Sequence, residues 1–185
     1  GATTSRDVPK IMAIASQGRS LYIYEISPEM IQGKKGTICS GYWELTPETG
    51  LVEGKLPVAT SAYFDRMFYY AVGNKIYRAD LTRSTPRSYE IYAHPDPSVR
   101  ITRLKFRSQR EDRWDISGGD EVEAIPYDFV SYLGGVAEYP DGNCSMLEMK
   151  LTAAGEIDKE EGTKDLMVYE FKGFKNVVDF VYAFK

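Results

Sequence analysis

The chain has 185 residues, 43 % of them apolar and 27 % charged, with 27 acidic against 23 basic side chains and a net charge of -4. That length and apolar share fit one domain with a normal core and exclude global disorder. The acidic balance gives no reason to expect nucleic acid as a partner, and no apolar run approaches the roughly 20 residues of a membrane helix.

Residues 1–7 (GATTSRD) read as a flexible lead-in, with Gly1 a scar of tag removal, which leaves 8–185 as a single all-β domain. Residues 10–16 (KIMAIAS) and 18–26 (GRSLYIYEI) are apolar runs joined at Gln17-Gly18, which predicts a hairpin. One helical turn fits 28–31. A third strand follows at 41–45 (GYWEL) and a fourth at 58–64 (VATSAYF). The order then recurs. Residues 67–72 (MFYYAV) and 73–81 (GNKIYRADL) form a hairpin at Gly73-Asn74, followed by strands at 88–93 (SYEIYA) and 99–106 (VRITRLKF). It recurs again as 129–139 (FVSYLGGVAEY) and 143–151 (NCSMLEMKL) across Asp141-Gly142, then 166–171 (LMVYEF) and 177–184 (VVDFVYAF). The apolar run at 177–185 predicts an end tied into a sheet.

The hairpin segments starting at Gly18, Gly73 and Asn143 recur after about 55 and about 70 residues, longer than the roughly 40–50 residues of familiar propeller repeats. The excess falls in loops at 27–40, 108–127 and 152–165. The fold class expected is all-β: three consecutive four-stranded antiparallel units, propeller-like, with a β-sandwich or an open stack as the alternatives. The chain starts on the second strand of a unit and ends on the first strand of the next, as in a ring that closes on itself. Three units fall short of the about 4–8 blades of known propellers. Two chains closing a six-bladed ring, or a missing upstream domain, answer that shortfall.

Aromatic residues make up 13 % of the chain, with 14 Tyr, 8 Phe and 2 Trp. Most fit strand packing with a hydroxyl at the rim. The candidate ligand contacts are Trp114, Tyr127 and Tyr132, with Asp112 and Asp115 as polar partners. Trp114 lies within 111–123 (EDRWDISGGDEVE), where its ring offers an apolar face and an indole donor to a sugar. Asp112, Asp115, Asp120 and Glu121 carry calcium-type oxygens, yet their spacing is not that of an EF-hand loop, and a solvated acidic loop is the simpler reading. Trp43, in GYWEL, reads as strand packing.

His94, the one histidine, stands in AHPDPS (93–98) with Asp96 and Ser98 close by. A catalytic triad converges from separate segments, and no G-x-S-x-G occurs, so this reads as a stiff loop. One histidine and two cysteines exclude a multi-histidine metal site and a disulfide-dense scaffold. No metal and no cofactor are expected. Arg100, Arg103, Lys105, Arg107, Arg110 and Arg113 form a basic run, read as a charged outer strand face paired with the acids that follow it. Cys39 and Cys144 read as free thiols, with a bridge in an oxidising compartment as the alternative.

Residues 68–81 (FYYAVGNKIYRADL) and 169–182 (YEFKGFKNVVDFVY) resemble the C-terminal portion of the PKD-like family of Bacteroidetes lipoproteins. The resemblance spans roughly the last two thirds of the chain. It implies an exported cell-envelope protein, periplasmic or outer-membrane-anchored, with a binding role beside glycan-uptake systems of the starch-utilisation type. Its motifs are structural and transfer no site residues. It also implies a lipoprotein cysteine upstream, since neither Cys39 nor Cys144 lies near the start.

The function expected is therefore a non-enzymatic binding or scaffold module of the envelope, taking a glycan or a partner protein. A carboxylate-dependent glycoside hydrolase or lyase is the second reading. A structural module that completes a larger propeller is the third.

Overall fold

The computed structural model describes residues 11–17, 20–26, 41–45, 58–61, 67–81, 87–111 and 128–183. Among them the chain is all-β, with no helix, in three antiparallel sheets. The first sheet holds β1 (Ile11–Gln17), β2 (Ser20–Ile26) and β3 (Gly41–Leu45) in that order. The second holds β4 (Val58–Ser61), β5 (Met67–Val72), β6 (Lys75–Asp80) and β7 (Arg87–Ala93). The third holds β8 (Arg100–Glu111), β9 (Asp128–Glu138), β10 (Asn143–Leu151) and β11 (Val168–Lys175). Each strand pairs with its neighbour in sequence, and the sheets do not close into a barrel.

The hairpins fall where the turn residues predict them. Gly73 and Gly142 adopt φ of 61° and 83°, the left-handed region that a Cβ disfavours. The partition into sheets departs from three four-stranded units counted from the first strand, and the three-stranded first sheet agrees with a chain that starts on the second strand of a unit. The fourth strand of the first and of the second expected unit opens the next sheet instead of closing its own: β4 pairs with β5 and β8 with β9. At the second boundary the cause is chemical. Pro95 and Pro97 lie between β7 and β8, have no N–H to give a ladder, and let the chain step from one sheet to the next.

The middle sheet is buried on both faces. Phe68, Tyr70 and Val72 of β5, with Tyr77 and Ala79 of β6, pack against Leu21, Ile23 and Leu45 of the first sheet. Tyr69 and Ala71 point the other way, joining Ile76 with Ile101, Leu104, Leu133, Leu147 and Met149 of the third sheet. Successive strand residues face opposite sides, so a strand with two cores must be apolar at nearly every position, and MFYYAV is. Each such ring or aliphatic chain contributes about 1.5–3 kcal/mol on burial. The phenols are satisfied: Tyr70 Oη lies 2.5 Å from Ser88 Oγ, and Tyr69 donates to the Gly155 carbonyl at 2.7 Å.

Residues 152–165, read as a loop, return to the middle sheet. Bridges Leu151↔Ile157 and Lys159↔Leu166 fold the segment on itself. Arg78 of β6 then donates to the Ala154 carbonyl and reaches Glu156 at 3.9 Å. Gly155, at φ 79°, is buried against Met67 and Tyr69, where a Cβ would collide with both.

Residues 177–184, expected as a last strand, correct that expectation over their described part: 177–183 carry no ladder. Gly173 at φ 106° makes a bulge within β11, after which Phe174 and Lys175 still pair with β10, and the chain leaves the ladder at Asn176, at φ 52°. The segment instead crosses the outer face of the third sheet, where Asp179 meets Lys105 at 3.1 Å and Tyr182 sits over Gly134. The expected helical turn at 28–31 lies outside the described residues, as does Cys39. Cys144 is a buried free thiol.

Candidate functional site

Two places on the third sheet gather polar or aromatic side chains. The first is the seam with the middle sheet. The turn after β7 is pinned to the β5–β6 turn: His94 N–H donates to the Asn74 carbonyl at 2.9 Å, Asn74 Nδ2 returns a bond to the His94 carbonyl at 2.9 Å, and Ile101 N–H reaches the Gly73 carbonyl at 2.8 Å. Asp96 closes the turn by accepting from Ser98 N–H at 2.9 Å and from its hydroxyl at 2.6 Å. Those bonds hold the Asp96 carboxyl below its ordinary range.

His94 is 5 % exposed. Its Nδ1 accepts from Asp96 N–H at 3.1 Å, so the ring proton sits on Nε2. Nε2 lies 3.2 Å from each carboxylate oxygen of Glu170 on β11. Glu170 Oε1 also accepts from Tyr139 Oη and from Ser145 Oγ, both at 2.6 Å. Burial alone would raise the Glu170 carboxyl, but bonds from Ser145, Tyr139 and His94 hold it below its ordinary value. Tyr139 is pushed up to about 12 by its bond to that carboxylate and then by burial. Tyr92, pushed to about 12 by burial and then by the Glu170 charge, lies edge-on to His94, as does Tyr139.

The chemistry of this cluster follows from who donates to whom. A Ser-His-acid triad needs the hydroxyl to donate to the imidazole, with the acid behind it. Here Ser145 donates to the acid, and Ser145 is 0 % exposed. The carboxylate is clamped by three donors on three segments. The arrangement locks the second sheet to the third and does not activate a nucleophile.

The second place is the outer face of the third sheet. Register aligns Arg103, Val136, Met146 and Phe171 in one row, and Lys105, Gly134, Glu148 and Tyr169 in the next. Arg107, Tyr132 and Lys150 form a third. The Arg107 guanidinium lies 4.2 Å from the Tyr132 ring centroid and 3.1 Å from Glu148. Along β11, Tyr169, Phe171 and Phe174 are 42 %, 57 % and 44 % exposed.

Of the five ligand contacts expected from sequence, Tyr132 alone is described; it is half-buried, with the Arg107 guanidinium over one face of its ring. Trp114, Tyr127, Asp112 and Asp115 lie outside the described residues, as do Asp120 and Glu121 of the calcium reading. Among the described residues no group of three or more His, Cys, Asp or Glu is placed to hold a metal. The basic run is an outer strand face over its described part, and the acids at 112–123 lie outside the described residues. Arg100 pairs with Glu138, Lys105 and Arg103 with Asp179, and Arg107 with Glu148. Trp43 packs at the edge of the first core, as expected.

Sequence reasoning missed Glu170, Ser145 and Tyr139. One clue was present: on β11 the core-facing alternation from Val168 reaches an acid at Glu170, where packing alone asks for an apolar residue. Comparison of the chain with family models, with curated proteins and with solved structures finds no match.

Proposed function

We propose that the chain is a non-enzymatic recognition or scaffold module of a bacterial cell-envelope protein, taking a glycan or a partner protein. The observation that carries this reading is β11, which displays Tyr169, Phe171 and Phe174 to solvent, whereas among the described residues most other large rings are packed away. Exposed rings on one strand give apolar faces for stacking on a sugar or for a partner side chain. Among the described residues β11 is also an edge of its sheet, so its outward N–H and C=O groups are open to strand addition. Trp114, Tyr127 and Tyr132, with Asp112 and Asp115, remain the proposed contacts from sequence. The envelope assignment draws its support from the lipoprotein resemblance of 68–81 and 169–182.

What supports a binding role over a carboxylate-dependent hydrolase is the state of Glu170. It is ionised, fully engaged, and has a lowered pKa, whereas a general acid needs a raised one. The propeller-like reading draws support from three meander sheets stacked in series, the middle one sharing a core with each neighbour. A six-bladed ring from two chains predicts a solution mass of twice 20.9 kDa.

The test is titration against a panel of soluble polysaccharides, read by calorimetry, with Tyr169→Ala/Phe171→Ala and Trp114→Ala chains alongside. Binding weakened about tenfold, or about 1.4 kcal/mol, by either variant supports the glycan reading. Equal binding by all three chains removes these rings from the site.

A further inference from the structure

We infer that the outer face of the third sheet is a groove for an extended peptide carrying an acid–aromatic–X–aromatic sequence, filled in this structure by the chain's own residues 179–182. The groove lies on the β8–β9 side of the face whose far edge carries the β11 rings, and the contacts that define it are made by β8 and β9. Its floor is Gly134, in the middle of β9. A glycine inside a strand weakens it, and one reason to keep it is the close approach of another chain. That approach is seen: a Cβ at Gly134 would run into the Tyr182 hydroxyl and stand 3.1 Å from the Phe180 ring.

The walls are as specific as the floor. Arg103, Lys105 and Arg107 occupy alternate positions of β8 and so line one side of the face. Asp179 pairs with Lys105 at 3.1 Å and with Arg103 at 3.9 Å. Lys105 lies over the Phe180 ring at 5.4 Å and Arg107 over the Tyr182 ring at 5.1 Å. The two rings meet edge to face at 5.7 Å. Charge, ring and depth thus each have a counterpart, in the order acid, ring, spacer, ring.

The segment is held by these side chains and not by its backbone. Among the described residues the last backbone bond before it is Asn176 N–H to the Gly142 carbonyl at 3.3 Å, and 177–183 make no ladder. Exposed ion pairs and cation–π contacts are individually weak, so a segment held this way can be exchanged for another of the same chemistry. Val178 and Val181, on the side away from the sheet, are 77 % and 78 % exposed, so the spacer position is open to variation.

The experiment uses the full chain and a fluorescein-labelled peptide of the sequence VVDFVYA, residues 177–183, read by anisotropy. In a chain carrying Asp179→Ala, Phe180→Ala and Tyr182→Ala, the groove is vacated and the peptide binds at least tenfold more tightly than to the unaltered chain. Adding Gly134→Val to that chain abolishes the gain, and a peptide with the acid and both rings changed to alanine does not bind. Where Gly134→Val fails to fold by circular dichroism, Lys105→Glu in the vacated chain replaces it and is expected to cut binding at least tenfold. Equal peptide binding by the vacated and unaltered chains overturns the proposal, as does a gain that survives the folded Gly134→Val or Lys105→Glu chain.

Discussion

His94 and Glu170 lie 76 positions apart in the chain, yet Nε2 of one stands 3.2 Å from both carboxylate oxygens of the other. The imidazole is aimed by the Asp96 N–H behind it, and the carboxylate by Tyr139 and Ser145 beside it. The pair is where the turn after the second sheet meets the last strand of the third.

Glu170→Gln keeps the shape and removes the charge, turning one accepting oxygen into a donor. It is expected to lower stability by about 1–3 kcal/mol at neutral pH, because Ser145 and His94 are buried donors that need an acceptor. The effect is pH-dependent with a definite sign. The Glu170 pKa is depressed from 4.5 in the folded chain, so its contribution is present above the unfolded value and lost as pH falls through the folded one. Urea midpoints of the two chains, well separated at pH 7, are expected to converge in acid. A gap that stays constant down to the lowest pH at which both fold would show that the charge contributes nothing.

At the alkaline end the sign reverses. Burial is the leading cause that raises Tyr69, Tyr92 and Tyr182 to about 12, and the bond to Glu170 leads for Tyr139. An unfolded chain ionises these phenols near 10, so the stability they contribute is complete below that pH and disappears as pH rises towards 12. Thermal midpoints are expected to fall steeply between pH 10 and 12. Absorbance at the phenolate band should show these tyrosines titrating together with unfolding, after the exposed ones.

The two cores share the middle sheet but not their contacts across it. Ile23 belongs to the core against the first sheet and Ile101 to the core against the third. Ile23→Val and Ile101→Val are each expected to cost about 0.5–1.5 kcal/mol. Their double variant should equal the sum within about 0.5 kcal/mol, as for sites with no shared partner. A larger coupling in a urea titration would mean that the middle sheet transmits packing strain from one core to the other.

The sequence makes the strands legible because their signals are local. Asp141-Gly142 between two alternating runs is a turn with one geometry, and the doubly apolar MFYYAV announces a strand with two buried faces. Sheet membership is not local. Nothing within 99–106 tells that this strand pairs forward with β9 and not back with β7; the two prolines before it decide that, by withholding N–H groups. The apolar run from 177 carries a strand's composition, but Asn176, whose φ is positive, turns it away from the ladder. The place of Arg107 over Tyr132 is likewise set by pairing across the strands and is not legible within either segment. The Glu170 cluster needs four segments brought together, and one misplaced acid was its whole trace in the sequence.

The strictly sequential pairing of strands has a consequence for how the molecule is made. Among the described residues no strand waits for a partner beyond its neighbour, so each sheet can zip up as a series of hairpins with low contact order for an all-β chain. A chain leaving the ribosome, at about 5–20 residues per second, completes β7 before β8 has appeared, and the middle sheet can settle on the first while its other face is still bare. For that interval Tyr69, Ala71 and Ile76 have no cover. Glu170, carried on β11, arrives at His94 only after β8, β9 and β10 have supplied that cover, so their contact reports that the seam between the second and third sheets has closed.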